Sequence, residues 1–265
     1  MTQKPLSLAD LIDEQSALGD GWVIGIQGAT GCGRSILAAA SAADGPVLYV
    51  NMDRNTKHLD KFFGPTGTLL KDAPIDYIHF TFPPSDATKD LKRKALEKIN
   101  LVWNSFVSAT KSPRWGQPYQ TLVFDTAPRL WDGIYPIKNE LQIDRLGDKK
   151  SAMNFMDANA WMQSLTDVRA DLRPEANLVF IVGEEPTWEQ DEKGQWVANE
   201  RKPRMDAWKR TKQNCRLYLR LYRRAAGPDR DYERSGGKKG VKDKRNVRYG
   251  QVLKCSDDES FLSKA

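Results

Sequence analysis

The sequence predicts an α/β fold built on a mostly parallel central sheet. Three observations carry that expectation. Short, near-continuous apolar runs recur at Trp22–Gln27, Val47–Asn51, Ile75–Phe80, Gln120–Asp125 and Asn177–Gly183. Helical or mixed segments separate them, so strands and helices alternate. Runs that are apolar on both faces belong inside a sheet covered by helices on each side.

Taken in order, residues 6–18 read as a short helix with Ser7 as candidate N-cap. The strand Trp22–Gln27 ends in a Gly-rich turn. Ile36–Ala43 is small and apolar, suited to a helix packed close on a sheet, and Gly45-Pro46 breaks it. The strand Val47–Asn51 follows. Residues 54–73 are mixed, with a turn at Gly64-Pro65 and Gly67. After Ile75–Phe80, Pro83-Pro84 interrupts the chain and Lys89–Ser108 forms a long amphipathic helix. Residues 110–119 read as a polar loop, Gln120–Asp125 as a strand closing on an acid, and 127–147 as a long connection rich in Pro, Gly, Trp and Tyr. Ser151–Leu172 reads as a helix and Asn177–Gly183 as a strand. Thr187–Asn199 reads as a polar hairpin turning at residues 191–194. Cys215–Tyr222 alternates apolar and charged residues like a strand with an exposed face. Residues 225–246, rich in Gly, Lys and Arg, read as mobile, and Val247–Cys255 as a last strand. This gives one large α/β domain over 1–224 and a basic flexible segment with a terminal strand over 225–265.

Composition narrows the function classes. The 265 residues suffice for one large α/β domain. No apolar run approaches the ~18 residues that span a bilayer, and Met1–Pro5 lacks a signal peptide's apolar stretch. The 3 cysteines, Cys32, Cys215 and Cys255, are far apart and odd in number, and the 2 histidines are His58 and His79. A disulfide framework, a zinc knuckle and a His-rich metal site are therefore not expected, and a reducing cytoplasmic compartment is. The net charge of +6 is uneven. Residues 201–254 hold about 19 Lys/Arg against about 5 Asp/Glu, whereas residues 1–200 sum to roughly −6. Such a basic quarter either meets a polyanion, nucleic acid first, or is a solvated face.

The sharpest motif is Gly28-Ala29-Thr30-Gly31-Cys32-Gly33-Arg34-Ser35, between a predicted strand and a predicted helix. This is the context of a Walker A loop. Glycines let backbone N–H groups turn inward at phosphate oxygens, the following helix start adds its positive end, and the Ser35 hydroxyl would reach Mg²⁺. The bland alternative is a Gly-rich turn with no ligand. Arg34 stands where the motif has Lys. Its longer, planar fork can pair with phosphate without reaching the same point, so it weakens hydrolysis more than binding. Leu122-Val123-Phe124-Asp125, about 90 residues on, has the form of a Walker B strand, whose acid holds Mg²⁺. Cys32, inside the loop, is either a small residue tolerated in a turn or an oxidation-sensitive thiol.

The order Gly28–Ser35, Val47–Asp53, Leu122–Asp125, Asn177–Gly183 resembles the RecA-like P-loop ATPases over roughly residues 20–225. It looks most like the phage nucleotide-binding proteins of that group, which include single-strand annealing proteins. The resemblance implies ATP and Mg²⁺ as ligands, single-stranded DNA as partner, a ring or filament of identical subunits, no membrane, and host cytoplasm for a phage-encoded chain. It also implies that Asp53, one methylene shorter than the usual Glu, orients the attacking water, with an ordinary turn Asp as the alternative. Asp53 and Arg34 are thus the candidate catalytic residues. Glu184 and Glu185 match the γ-phosphate-sensing position, which a carboxylate suits poorly. A DNA-binding loop after that strand would carry Trp188, Trp196, Arg201, Lys202, Arg204 and Trp208, and one after Asp125 would carry Arg129, Trp131, Tyr135, Lys138 and Arg145. Aromatics interleaved with cations suit single strands, since bases stack while cations meet phosphates, although Trp131 and Trp161 equally suit a core. Lys238 and Lys239 extend the nucleic-acid face. Arg216, Arg220, Arg223 and Arg224 are either one charged strand face or a source of an arginine finger. Two other readings stay open: a nucleotide-gated DNA-binding protein with little hydrolysis, and a small-molecule phosphotransferase.

Overall fold

The computed structural model describes residues 21–52, 59, 61–62, 69–146, 156–190, 194–206, 208, 210–225 and 246–255. The expected helix 6–18, most of 54–73, and the stretch 226–245 with Lys238 and Lys239 lie outside them, as does Asp53.

Eight strands form the sheet: β1 (Val23–Gly28), β2 (Val47–Asn51), β3 (Ile75–His79), β4 (Thr121–Asp125), β5 (Asn177–Gln190), β6 (Trp196–Asp206), β7 (Leu217–Ala225) and β8 (Asn246–Cys255). The order is β3-β2-β4-β5-β1-β7-β8, with β6 paired to β5. The six strands from β3 to β7 run parallel, while β6 and β8 pair antiparallel to β5 and β7. The helices are α1 (Arg34–Ala39), continued by a 3₁₀ turn over Ala40–Ala43, then α2 (Lys89–Val107), α3 (Ala127–Leu146), α4 (Met156–Leu172) and the short α5 (Thr211–Asn214). The chain is therefore α/β, a six-stranded parallel sheet flanked by helices.

Strand alternation divides the core into two layers. Leu48, Val50, Leu122, Phe124, Leu178 and Phe180 pack on α2, α3 and α4 through Ile99, Leu130, Ile134, Met162 and Leu165. Their neighbours in sequence, Val47, Tyr49, Val123, Val179 and Ile181, face the other way onto Ala38, Ala39 and Ala42. The small residues of α1 let its backbone lie close to the sheet. Each fully buried Leu or Ile contributes about 1.5–3 kcal/mol. Polar ties join the outer helices: Trp161 Nε1 donates to Asn100 Oδ1 at 2.9 Å, and Lys92 Nζ meets Glu140 Oε2 at 2.8 Å.

Two expectations need correction. Residues 127–147 are not a long connection, because α3 occupies Ala127–Leu146. Gly133 and Pro136 cost an isolated helix about 1 and 3 kcal/mol, and they mask the buried series Ala127, Leu130, Ile134, Ile137, whose 3–4–3 spacing is helical. Packing of that stripe outweighs propensity. Gly133 is also needed where it stands, since a Cβ there would lie 2.1 Å from the Phe82 ring. The second correction concerns the hairpin. β5 runs on past Gly183 to Gln190, and β6 returns as far as Asp206, so the hairpin is much longer than Thr187–Asn199. Its ladder is irregular where Glu185 pairs with Arg204 but Thr187 pairs with Asn199. Pro186 and Pro203 fall in that gap, where a missing N–H costs no ladder bond.

Candidate functional site

In an open parallel sheet, ligands bind beyond the carboxyl ends of strands whose following helices take opposite faces. That condition holds here. β1 leads to α1 on one face, β4 leads to α3 on the other, and only β5 stands between them. The segment Gly28–Ser35 and Asp125 both lie at this carboxyl rim.

The segment turns tightly at Gly31 (φ 79°) and Gly33 (φ 103°), left-handed conformations that side chains with a Cβ resist. Gly33 is the N-cap of α1, so Ser35 falls in the first turn. Ser35 Oγ donates to Asp125 Oδ2 at 2.8 Å, across 90 residues of sequence. Tyr49, wholly buried on β2, donates its hydroxyl to the same Oδ2 at 2.6 Å. Adjacent registers explain that contact. Asn51 pairs with Asp125, and Tyr49, two residues earlier, shares their face. Asp125 is only 8% exposed, its backbone carbonyl accepts from the Met52 N–H at 2.6 Å, and the Asp125–Thr126 peptide is cis. Burial and the neighbouring Asp125 carboxylate hold the Tyr49 hydroxyl well above its ordinary pKa, so it stays a proton donor.

Arg34 does not turn back over the loop: its Nη1 donates to the carbonyl of Val182 near the point where β5 leaves the parallel sheet. Two residues on, Glu184 Oε1 accepts from Gln27 Nε2 at 3.1 Å and from Arg220 Nε at 2.7 Å. Residues at both ends of the Gly-rich loop are thus tied to the root of the hairpin. Burial pushes the Cys32 thiol up, with Arg34 opposing, so this thiol is not activated. At Asp132 on α3, burial raises the carboxyl and Glu185 adds to the rise, while Arg129 opposes it.

The remaining predicted residues separate. Trp188 and Trp196 are 55% and 64% exposed. Gln190 pairs with Trp196 and Trp188 with Ala198, so the two indoles are diagonal neighbours on one face of the hairpin. Arg201 and Lys202 lie in the irregular part of β6, and Arg204 pairs with Glu185. Trp208, between β6 and α5, turns into the core: it is 5% exposed, donates to Asn159 Oδ1 and stacks on Trp131. Trp131 and Tyr135 belong to the same cluster, on a helix and not in a loop. Arg216 sits at the opposite rim, where its guanidinium covers Trp22. Tyr49 and Gln27 were not visible as site residues from sequence, because only the strand register brings them to Asp125 and Glu184.

The donors at Ser35 and Asp125 are hard oxygens, the type Mg²⁺ takes. Among the described residues there is no cluster of three or more His, Cys, Asp or Glu that could hold a metal alone, and no helix long and apolar enough to cross a membrane. Comparison with protein-family models and with curated proteins finds no match.

Proposed function

We propose that the chain is a RecA-like P-loop ATPase that acts on single-stranded DNA, in phage recombination or annealing. The observation that carries the reading is the Ser35–Asp125 hydrogen bond at 2.8 Å beside a loop with two left-handed glycines. A hydroxyl and a carboxylate from distant segments meet where a phosphate-bound Mg²⁺ would need both. In this reading Gly28–Ser35 holds the phosphates of ATP, Ser35 and Asp125 hold the metal, and Asp53 orients water. A Mg²⁺ held by Ser35 and Asp125 would supply charge neutralisation at the phosphates, and the chain's own residues would supply position.

The DNA half of the reading is supported by the hairpin. Two exposed indoles on one face form a platform for bases, worth about 1–3 kcal/mol per stacked base. The basic quarter supplies affinity that falls with salt. A subunit ring or filament belongs to the proposal too. The engagement of Arg34 with Val182 favours slow hydrolysis, closer to a nucleotide-gated binder than to a fast motor.

Calorimetry with Mg²⁺-ATP on folded wild type and Gly33→Val tests the nucleotide half. The φ of 103° at Gly33 strains any valine there and blocks backbone approach to phosphate, so binding should vanish. Unchanged affinity in the folded variant removes the assignment. Anisotropy with single-stranded and duplex oligonucleotides at two salt concentrations tests the DNA half. Trp188→Ala with Trp196→Ala should weaken only the single strand, and absence of any binding at low salt by the wild type refutes it.

A further inference from the structure

The carboxyl rim also carries a concavity of about 480 Å³ between the segment that leaves β3 and one side of α3. Phe80, Phe82, Pro83 and Ile137 give it an apolar wall, and Lys92 and Arg129 bring two cations. Met52 also lines it, and the Met52 N–H is the donor to the Asp125 carbonyl. The concavity therefore adjoins the site described above but is built from different side chains.

The helix itself points to a use for this wall. The two least helix-favouring residues of α3, Gly133 and Pro136, both line the concavity. Gly133 lets the Phe82 ring sit directly on the helix backbone. Pro136 has no N–H to give the carbonyl of Asp132, one turn earlier, so that acceptor lacks its usual helical donor.

We propose that this concavity binds one nucleotide unit, either a free mononucleotide or one residue of a single strand. The apolar wall suits a planar base, and the Arg129 guanidinium suits a phosphate. Lys92, 12% exposed, is held by Glu140, and Arg129 lies near the Asp132 carboxylate, so a phosphate would compete with an acid for each of the two cations. The volume is within the range of small-ligand sites. The proposal borrows from the Proposed function only the expectation that this rim meets nucleotides, and it is tested separately.

The probes are dAMP and a short oligodeoxyadenylate, measured by calorimetry on the full chain without ATP. Gly33→Val disables the Gly-rich loop. Thr81→Trp fills the concavity from an exposed lining position, and Arg129→Gln removes a charge. Binding of at least one probe should survive Gly33→Val and fall about tenfold or more in Thr81→Trp and in Arg129→Gln. Mg²⁺-ATP should behave in the opposite way, lost in Gly33→Val and kept in Thr81→Trp. Tighter binding of the oligomer than of dAMP assigns a strand as the source, and the reverse assigns a free nucleotide. The proposal is overturned if the wild type binds neither probe, or if binding is lost in Gly33→Val and retained in Thr81→Trp. A wild type that fails to bind Mg²⁺-ATP yet binds a probe with this pattern defeats the loop assignment alone.

Discussion

Tyr49→Phe isolates one hydrogen bond at the centre of the site. The substitution removes the hydroxyl that donates to Asp125 Oδ2 at 2.6 Å and leaves the ring, which is fully buried and packs 5.3 Å from Tyr77. No cavity larger than an oxygen forms, so the packing contribution is small. A hydrogen bond to a charged group contributes about 1.5–3 kcal/mol, and Ser35 still donates to the same oxygen in the variant. The expected loss of stability is therefore about 2 kcal/mol. Urea denaturation followed by circular dichroism measures it as a lower midpoint at unchanged slope. Ser35→Ala completes a cycle. Both hydroxyls serve one oxygen, so the double variant should cost more than the two singles together by at least about 0.5 kcal/mol. A loss under about 0.5 kcal/mol for Tyr49→Phe, or additive singles, would refute the account of a carboxylate held by two donors.

Three further outcomes follow from the same geometry. Arg34→Lys should lose about 1 kcal/mol with the Val182 bond and keep or raise the rate of ATP turnover; abolition of a substantial native activity, seen in a phosphate-release assay, would make Arg34 a specialised catalytic group. Gly133→Ala gains about 1 kcal/mol of helix propensity yet should destabilise overall, because its Cβ would fall 2.1 Å from the Phe82 ring; in a Phe82→Ala background the same change should stabilise, and thermal melts of the four variants decide. Burial first, and then the Asp76 contact, push the Tyr119 hydroxyl up to about 12 from 10.0. The unfolded chain thus loses this proton first, and stability present below about pH 10 falls as pH rises toward about 12. Tyr119→Phe should flatten that alkaline decline in urea midpoints, and an unchanged decline counts against the assignment.

The strands and the Gly-rich turn were legible because their signals are local. Apolar runs such as Leu122–Phe124 need no partner to be recognised, and Gly31 and Gly33 announce a turn by their chemistry. The proximity of Ser35 to Asp125 was legible only through a motif pairing. What escaped depended on partners distant in sequence. α3 looked like a connection because Gly133 and Pro136 are read locally, whereas Leu130 and Ile134 act through a core that the sequence does not display. Trp208 resembled a base-stacking residue beside cations, and its burial and its stacking on the half-buried Trp131, which the sequence already allowed as core, identify it as core. Tyr49 is an unremarkable strand residue until the register of β2 on β4 sets it against Asp125.

The long strand β5 belongs to two regimes at once. Its first half lies between β4 and β1, paired on both sides, and its last residues pair with β6 alone. The break in the ladder around Pro186 separates them. Amide exchange in Leu178–Val182 should therefore report opening of the whole sheet, while exchange in Thr187–Gln190 reports opening of the arm by itself. An arm that can open without the core opening is an arm whose order can be set by what it holds. Through Arg34 on Val182 and Gln27 on Glu184, the loop at the rim grips this strand just before that boundary.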